Sequence, residues 1–224
     1  MTKYFITIAA LITVGCTPPH KKDHFIELKF ITPFTITPAS DTIQLGDTLT
    51  LGANFSDSVK DILSGKYYRL ENFDFNETVI FRELVDSSKC ITDQLWNIND
   101  FNIFNEVGKI VNAGSWGFVR YVYQDSHYKL RIKIVPKKRG IHAISFLYGL
   151  LGKGVGLENI HLGPSDKGGK KIAYLNNIWN IINDGNTNFC LYEQHTKVGS
   201  IYNPPAFNDE YNYEKEATYT FVVK

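Results

Sequence analysis

Short runs in which apolar and polar residues alternate, broken by Pro, Gly, Asn and Asp, recur along this chain of 224 residues. The clearest covers residues 49–55. There Leu49, Leu51, Ala53 and Phe55 alternate with Thr50, Gly52 and Asn54, the period of a half-buried strand, and Gly46-Asp47 supplies the turn into it. Residues 117–123 and 128–135 flank Gln124-Asp125-Ser126-His127 and predict a hairpin with a four-residue connection. In its second arm Leu130, Ile132 and Ile134 alternate with Lys129, Arg131 and Lys133, so one face is apolar and the other cationic. Further strands are predicted at 25–31, 34–37, 79–85, 141–148 and Thr218–Val223, with Pro33 and Pro38 at strand edges. Between 89 and 107 the pattern predicts loop and one short strand. A long excursion, 149–216, separates the last two strands. Within it Ile172, Leu175, Ile178, Trp179 and Ile182 stand at helical spacing, predicting a helix over 172–182 that stops at Asp184-Gly185; 189–192 reads as another strand. Many short alternating strands point to a mainly β protein, an antiparallel β-sandwich with a helix-containing insertion before its last strand.

The start of the chain has a different pattern. Met1-Thr2-Lys3 is lightly basic, 4–14 is almost unbroken hydrophobe with small Thr, and Gly15-Cys16 follow. That run is shorter than the roughly 20 residues a membrane helix needs, and it has the parts of an export signal. Residues 17–23, with two prolines and two lysines, read as a tether, which leaves 24–224 as one domain. Beyond residue 15 the chain holds 23 basic and 23 acidic residues, a balance that argues against a dedicated nucleic-acid binder. Its 13 Tyr and 15 Phe favour strands. In an oxidising compartment Cys90 and Cys190 either pair, closing a loop of about 100 residues worth roughly 4–5 kcal/mol, or are two buried thiols in separate strands.

Thr13-Val14-Gly15-Cys16 resembles the lipobox of bacterial lipoproteins at its last three positions, with Thr13 where Leu is usual. The resemblance, to uncharacterised Bacteroidota-type lipoproteins, implies removal of residues 1–15 and acylation of Cys16 with diacylglycerol and a further fatty chain such as palmitate. One chain anchors marginally, whereas two or three hold a protein stably on a bilayer. Thr17 in place of Asp after the Cys implies the outer membrane, with the domain facing the periplasm or the cell surface. Lys138-Arg139-Gly140-Ile141-His142-Ala143-Ile144 resembles the late-strand corner of immunoglobulin-like domains, and Asp41 to Leu51 resembles the early strands of bacterial modules of that fold. The implied fold is an Ig-like β-sandwich.

Candidate chemistry is sparse. Gly152-Lys153-Gly154-Val155-Gly156 lacks both a following helix and the Gly-Lys-Ser/Thr of a phosphate loop. Gly114-Ser115-Trp116-Gly117 lacks the glycine spacing of a nucleophile elbow. A calcium loop over 183–188 would put Leu191 where a bidentate Glu is required. Zinc would need His142, His161 and His195 to converge, and the strand pattern assigns His142 a buried structural place. No metal or cofactor is therefore expected. The cationic strand face of Lys129, Arg131 and Lys133, continuing into Lys137, Lys138 and Arg139, either binds an anionic glycan or headgroup or is a solvated sheet face. The aromatic residues of the insertion (Trp179, Tyr192, Tyr202, Phe207, Tyr211 and Tyr213) form either a binding surface or a cap on the sandwich. The expected function is a membrane-anchored, non-enzymatic binding or accessory module for a glycan or protein. The alternative is an envelope hydrolase with a site between the insertion and the loops beside His142 and His161.

Overall fold

Strands form wherever β-branched and aromatic residues alternate with polar ones, and they assemble into two facing sheets. The computed structural model describes residues 24–75, 77–85, 94–146, 155–156, 171–195 and 208–224. In chain order the strands of the first half are β1 (His24–Thr37), β2 (Thr42–Ile43), β3 (Leu49–Ser56), β4 (Ser58–Lys60), β5 (Tyr67–Arg69), β6 (Thr78–Leu84), β7 (Gln94–Trp96) and β8 (Phe101–Val107). Then follow β9 (Lys109–Asn112), β10 (Trp116–Arg120), β11 (Val122–Gln124), β12 (His127–Pro136), β13 (Gly140–Phe146), β14 (Val155–Gly156) and β15 (Lys171–Ile182). Two helices, α1 (Phe189–His195) and α2 (Asn208–Ala217), lead to the last strand, β16 (Thr218–Val223).

The first sheet runs β11-β12-β3-β1-β15-β14, and β8 pairs with the β12 edge that β11 also uses. The second runs β2-β16-β13-β6-β10-β9, and β7 shares the β6 edge with β10. In immunoglobulin lettering β1, β3, β12 and β8/β11 take the places of A, B, E and D, while β16, β13, β6 and β10 take those of G, F, C and C′. The fold is thus a mainly β, Ig-like sandwich with both helices in the insertion before the final strand. Its sheets are mixed rather than purely antiparallel, because β1 pairs with β15 and β16 with β2 in parallel.

Alternation delivers the main core. Leu49 and Leu51 of β3, Leu130, Ile132 and Ile134 of β12, and Phe34 and Ile36 of β1 bury against Val79 and Phe81, Ile144 and Phe146, and Tyr219, Phe221 and Val223 of the other sheet. A second apolar cluster lies at one end, where the β4–β5 hairpin covers Leu28, Phe30, Val59, Leu70, Phe75 and Tyr128. The Tyr128 hydroxyl donates to Leu70 O and accepts from Phe73 N at 2.6 Å, tying the loop before β6 onto β12. Between the clusters, on the same inner faces, sit buried polar groups: Thr32 of β1, Asn180 of β15 and Glu77 beside β6.

Several expectations are corrected. Residues 172–182 form strand β15, not a helix. β1 offers an edge along His24 to Phe34, and β-branched Ile residues suit a strand beside it. The register steps from Leu28↔Leu175 to Lys29↔Asn177, so Asn176 is skipped. Such a bulge puts residues an odd number apart on one face: Ala173 and Ile178 both enter the second cluster. That irregular spacing mimics a helical period. Conversely, 189–192 lies in helix α1, where Phe189 and Tyr192, three apart, bury one face against Leu84 and Ala143. Strand β1 continues through Pro33; β3 meets β1 only at Thr35 to Thr37, so Pro33 lies where a missing N–H is tolerated. The hairpin connection has two residues, Asp125 and Ser126, at φ 53° and 58°, as a type I′ turn needs. Its first arm divides at Tyr121: β10 belongs to one sheet and β11 to the other. Residues 94–107 hold β7, a 3-10 turn and β8, more strand than predicted.

One edge of the sandwich is thus laced, the chain passing from β7 to β8, back to β9 and β10, then across again to β11. Gly108 makes the middle crossing at φ +68°, and a Cβ there would lie 2.5 Å from Arg120 O and 2.8 Å from Leu130 Cδ1. Gly108→Ala is therefore expected to destabilise by about 2–4 kcal/mol, combining left-handed strain with overpacking. Chemical denaturation reads the cost as a lower midpoint.

Candidate functional site

The strongest surface feature grows from β12. Its inward residues lock into the core, so Lys129, Arg131 and Lys133 must share the outer face of the first sheet. Beside them, β8 carries a bulge: Arg131 pairs with Val107 and Ile132 with Asn105, which leaves Glu106 as the extra residue. The bulge sets Glu106 between two cations. Its Oε2 lies 2.9 Å from Arg131 Nε and its Oε1 2.5 Å from Lys133 Nζ. The Lys133 hydrogen bond, with the charge of Arg131, holds the Glu106 carboxyl below the usual carboxylate range. Lys129 Nζ stands 3.7 Å from Asp125 Oδ2. The cationic strip is therefore a charge-paired ladder whose members stay partly exposed, with Arg131 at 62%.

Two large apolar residues flank the ladder. Phe104, 53% exposed, lies opposite Lys133, and Val122, 40% exposed, lies opposite Lys129. Gly52 lies opposite Arg131 and forms a low floor, where a Cβ would meet Thr35 Oγ1 at 3.0 Å. Around the laced edge, Val111 and Trp116 are also exposed. Such a face suits recognition: charge-assisted donors beside apolar area on rigid strands.

The rest of the basic run points elsewhere. Lys138 Nζ bonds Asp100 Oδ1 at 2.9 Å, and Lys138 O lies 3.1 Å from His142 Nε2. His142 is buried between the rings of Phe101 and Phe221, and burial pushes its pKa down, in keeping with the structural place expected for it.

The insertion's aromatic residues need a correction. Tyr192, 1% exposed, accepts from Arg82 Nη1 at 2.5 Å and donates to Glu214 Oε1 at 3.0 Å. Trp179 donates its Nε1 to Glu216 at 2.7 Å and packs edge-on against buried Tyr213. Trp179, Tyr192 and Tyr213 therefore act as a cap rather than a binding surface, since their rings fill the space between helix and sheet. Tyr202 and Phe207 lie outside the described residues, as do Cys16, Cys90, His161 and residues 152–154. Cys190 is exposed on α1 as a free thiol. Among the described residues no group of three or more His, Cys, Asp or Glu is placed to hold a metal ion.

Sequence reasoning missed Glu106, Phe104 and Arg82. Glu106 depends on a bulge that only pairing reveals. Arg82 did leave a signal, a lone cation within the apolar strand Thr78–Leu84, which implies cover on both sheet faces. It lies under α1 and α2, close to the rings of Trp96 and Tyr192 and 3.8 Å from Glu214 Oε1.

No protein-family model matches the chain, and no curated protein matches it in sequence. Among solved structures, the non-cellulosomal cohesin from the hyperthermophilic archaeon Archaeoglobus fulgidus is similar over 76% of this chain and 99% of that chain, at 7% identity and a TM-score of 0.24. A likeness at that score carries no argument about what this chain is or does.

Arg82→Met removes the cation from its buried partners and leaves Glu214 and the Tyr192 hydroxyl without it. The expected cost is about 3 kcal/mol, seen as a lower denaturation midpoint with an unchanged slope.

Proposed function

We propose that this chain is a lipid-anchored envelope protein whose sandwich serves as a non-enzymatic binding module, taking a glycan or protein partner on the outer face of β8, β11 and β12. The observation that carries this reading is where the exposed apolar surface lies. Of seven large hydrophobic residues exposed among those described, Phe104, Val111, Trp116 and Val122 fall within the laced segment, and two of them, Phe104 and Val122, stand directly beside the Lys129–Arg131–Lys133 ladder. Exposed apolar groups gathered beside charged ones mark interaction sites more often than scattered ones do. The ladder adds orientation: Arg131 and Lys133, already held by Glu106, lose little rotamer freedom on meeting an acidic or hydroxyl-rich ligand.

The anchor rests on the lipobox resemblance at Cys16. Fatty chains there would hold the domain at a bilayer, with 17–23 as a short spacer. An envelope setting also fits a balanced net charge, which leaves recognition to a local patch rather than to the field of the whole molecule.

Two measurements test these parts separately. Intact mass analysis of the native protein is expected to find a chain beginning at Cys16 with acyl mass attached; a chain beginning at Met1 without it removes the anchor from the proposal. For the face, the Phe104→Ala/Arg131→Ala double variant is expected to lose at least tenfold in capture of envelope components by the soluble domain, while its melting temperature stays near wild type. Equal capture by variant and wild type would move binding off this surface.

A further inference from the structure

The buried polar layer between the two apolar clusters has no part in the binding face, yet its chemistry is unusual for a sandwich core. Glu77 is 3% exposed and stands just before β6, in phase with inward-facing Val79 and Phe81. Its main-chain oxygen accepts from Val119 N at 2.8 Å, which fixes the residue in the sheet. The carboxyl Oε2 accepts from the Tyr121 hydroxyl at the crossing between sheets, and Oε1 has no hydrogen-bond partner. Across from it, Asn180 Nδ2 donates to Thr32 Oγ1 at 2.8 Å, and the Tyr213 hydroxyl donates to Asn180 Oδ1 at 2.6 Å.

These groups come from five places: β1, β15, α2, the β10–β11 crossing and the start of β6. They divide the core. Along β1, Leu28 and Phe30 belong to one cluster, Phe34 and Ile36 to the other, with Thr32 between; along β15, Asn180 stands between Ile178 and Ile182. Two of the five, β15 and α2, belong to the insertion. The layer is thus one of the polar contacts, and the one inside the core, through which the insertion is seated on the sandwich.

A carboxylate in such a place is costly, because burial strips its hydration and Oε1 gains no donor. Burial first, and the negative charge of Asp74 last, push the Glu77 pKa from an ordinary 4.5 up to about 7, against the Tyr121 hydrogen bond and the nearby polar groups of Thr32 and Asn180. Among the described residues the other ionisable groups at the layer are the Tyr121 and Tyr213 hydroxyls; burial pushes that of Tyr121 well above its ordinary value. Arg120, next to Tyr121, is turned to Asp74 at 3.3 Å. The acid is therefore neutral in the folded protein across a range where it would be ionised in an unfolded chain.

We propose that Glu77 and its partners form a proton-dependent latch: with the proton on, the layer seats the insertion on the sandwich, and loss of the proton loosens β15 and α2 from the core. The sign follows from linkage. A carboxyl whose folded pKa is raised contributes full stability below the unfolded value, and this is lost as pH rises from about 4.5 to about 7. Between pH 6 and 8 the equilibrium for any opening that hydrates Glu77 shifts about tenfold toward the open form.

Hydrogen exchange on the soluble domain at pH 6 and pH 8, corrected for the intrinsic rate, tests this directly. Amides of Lys171–Ile182 and Asn208–Ala217 are expected to exchange through a smaller opening than those of β3 and β12, and to lose about tenfold protection between the two pH values. In Glu77→Gln that loss disappears. Equal protection of β15 and α2 at both pH values overturns the latch, as does exchange of β15 and α2 in step with β3 and β12. Should the Gln variant fail to fold, infrared difference spectra of the wild type still decide. A buried protonated-carboxyl band that vanishes between pH 6 and 8 supports the proposal; its absence at pH 6 ends it.

Discussion

Burial of one apolar sheet face against another is the contact on which everything else in this molecule depends. Leu49, Leu51, Leu130, Ile132 and Ile134 meet Phe81, Ile144, Tyr219 and Phe221 across the sandwich, and each is at most 4% exposed. At about 25 cal/mol per Å² of apolar area, burying side chains of this size is worth roughly 1.5–3 kcal/mol each before conformational entropy is counted. Once that contact forms, period-two geometry leaves no choice for the remaining side chains. Lys129, Arg131 and Lys133 must face out, and Arg82 must face the far side of its sheet, where α1 and α2 cover it.

Two-sheet sandwiches leave edges that invite pairing with other chains, and this chain deals with its two flanks differently. On one, the segment from β7 to β11 laces the sheets together, with Gly108 and Tyr121 at the crossings. On the other, the insertion adds β15 in parallel to β1, and α2 sends Tyr213 and Ala217 into the main core. At the end of β15 the Asn183 side chain bonds Ile36 N at 2.8 Å and Ile36 O at 3.2 Å, serving the backbone of β1 where β15 stops. The insertion is accordingly a structural part of the sandwich. The face proposed for binding and the Glu77 layer draw on these two flanks in different ways: the first uses surface exposed by the lacing, the second uses polar groups trapped where insertion and sandwich meet.

Much of the fold was legible in the chain because alternation and turn chemistry act locally. Strand β3, the apolar face of β12, the Gly46-Asp47 turn and the final strand all follow from residues that are neighbours in sequence. The face proposed for binding was half legible. Its three cations stand at period two, but Phe104, Val122 and Glu106 join them only because β8 and β11 both dock on one edge of β12. The aromatic residues of the insertion were legible as a group yet not as to side. Trp179 and Tyr192 turn inward because Glu216, Arg82 and Glu214 offer their polar ends partners there.

What the residue order determined by itself was the period of each strongly alternating run, the chemistry of its turns, and a lipobox resemblance ending at Cys16. Each of these depends on residues a few places apart. Tertiary structure decided the rest. It made 171–182 a strand by giving β1 a partner, and made 189–195 a helix by offering Phe189 and Tyr192 a sheet face to cover. It also placed a carboxyl between two apolar clusters. The physical reason is common to all three: a free edge, an uncovered face and a dry interior are made by distant segments meeting, and no local window of sequence contains them.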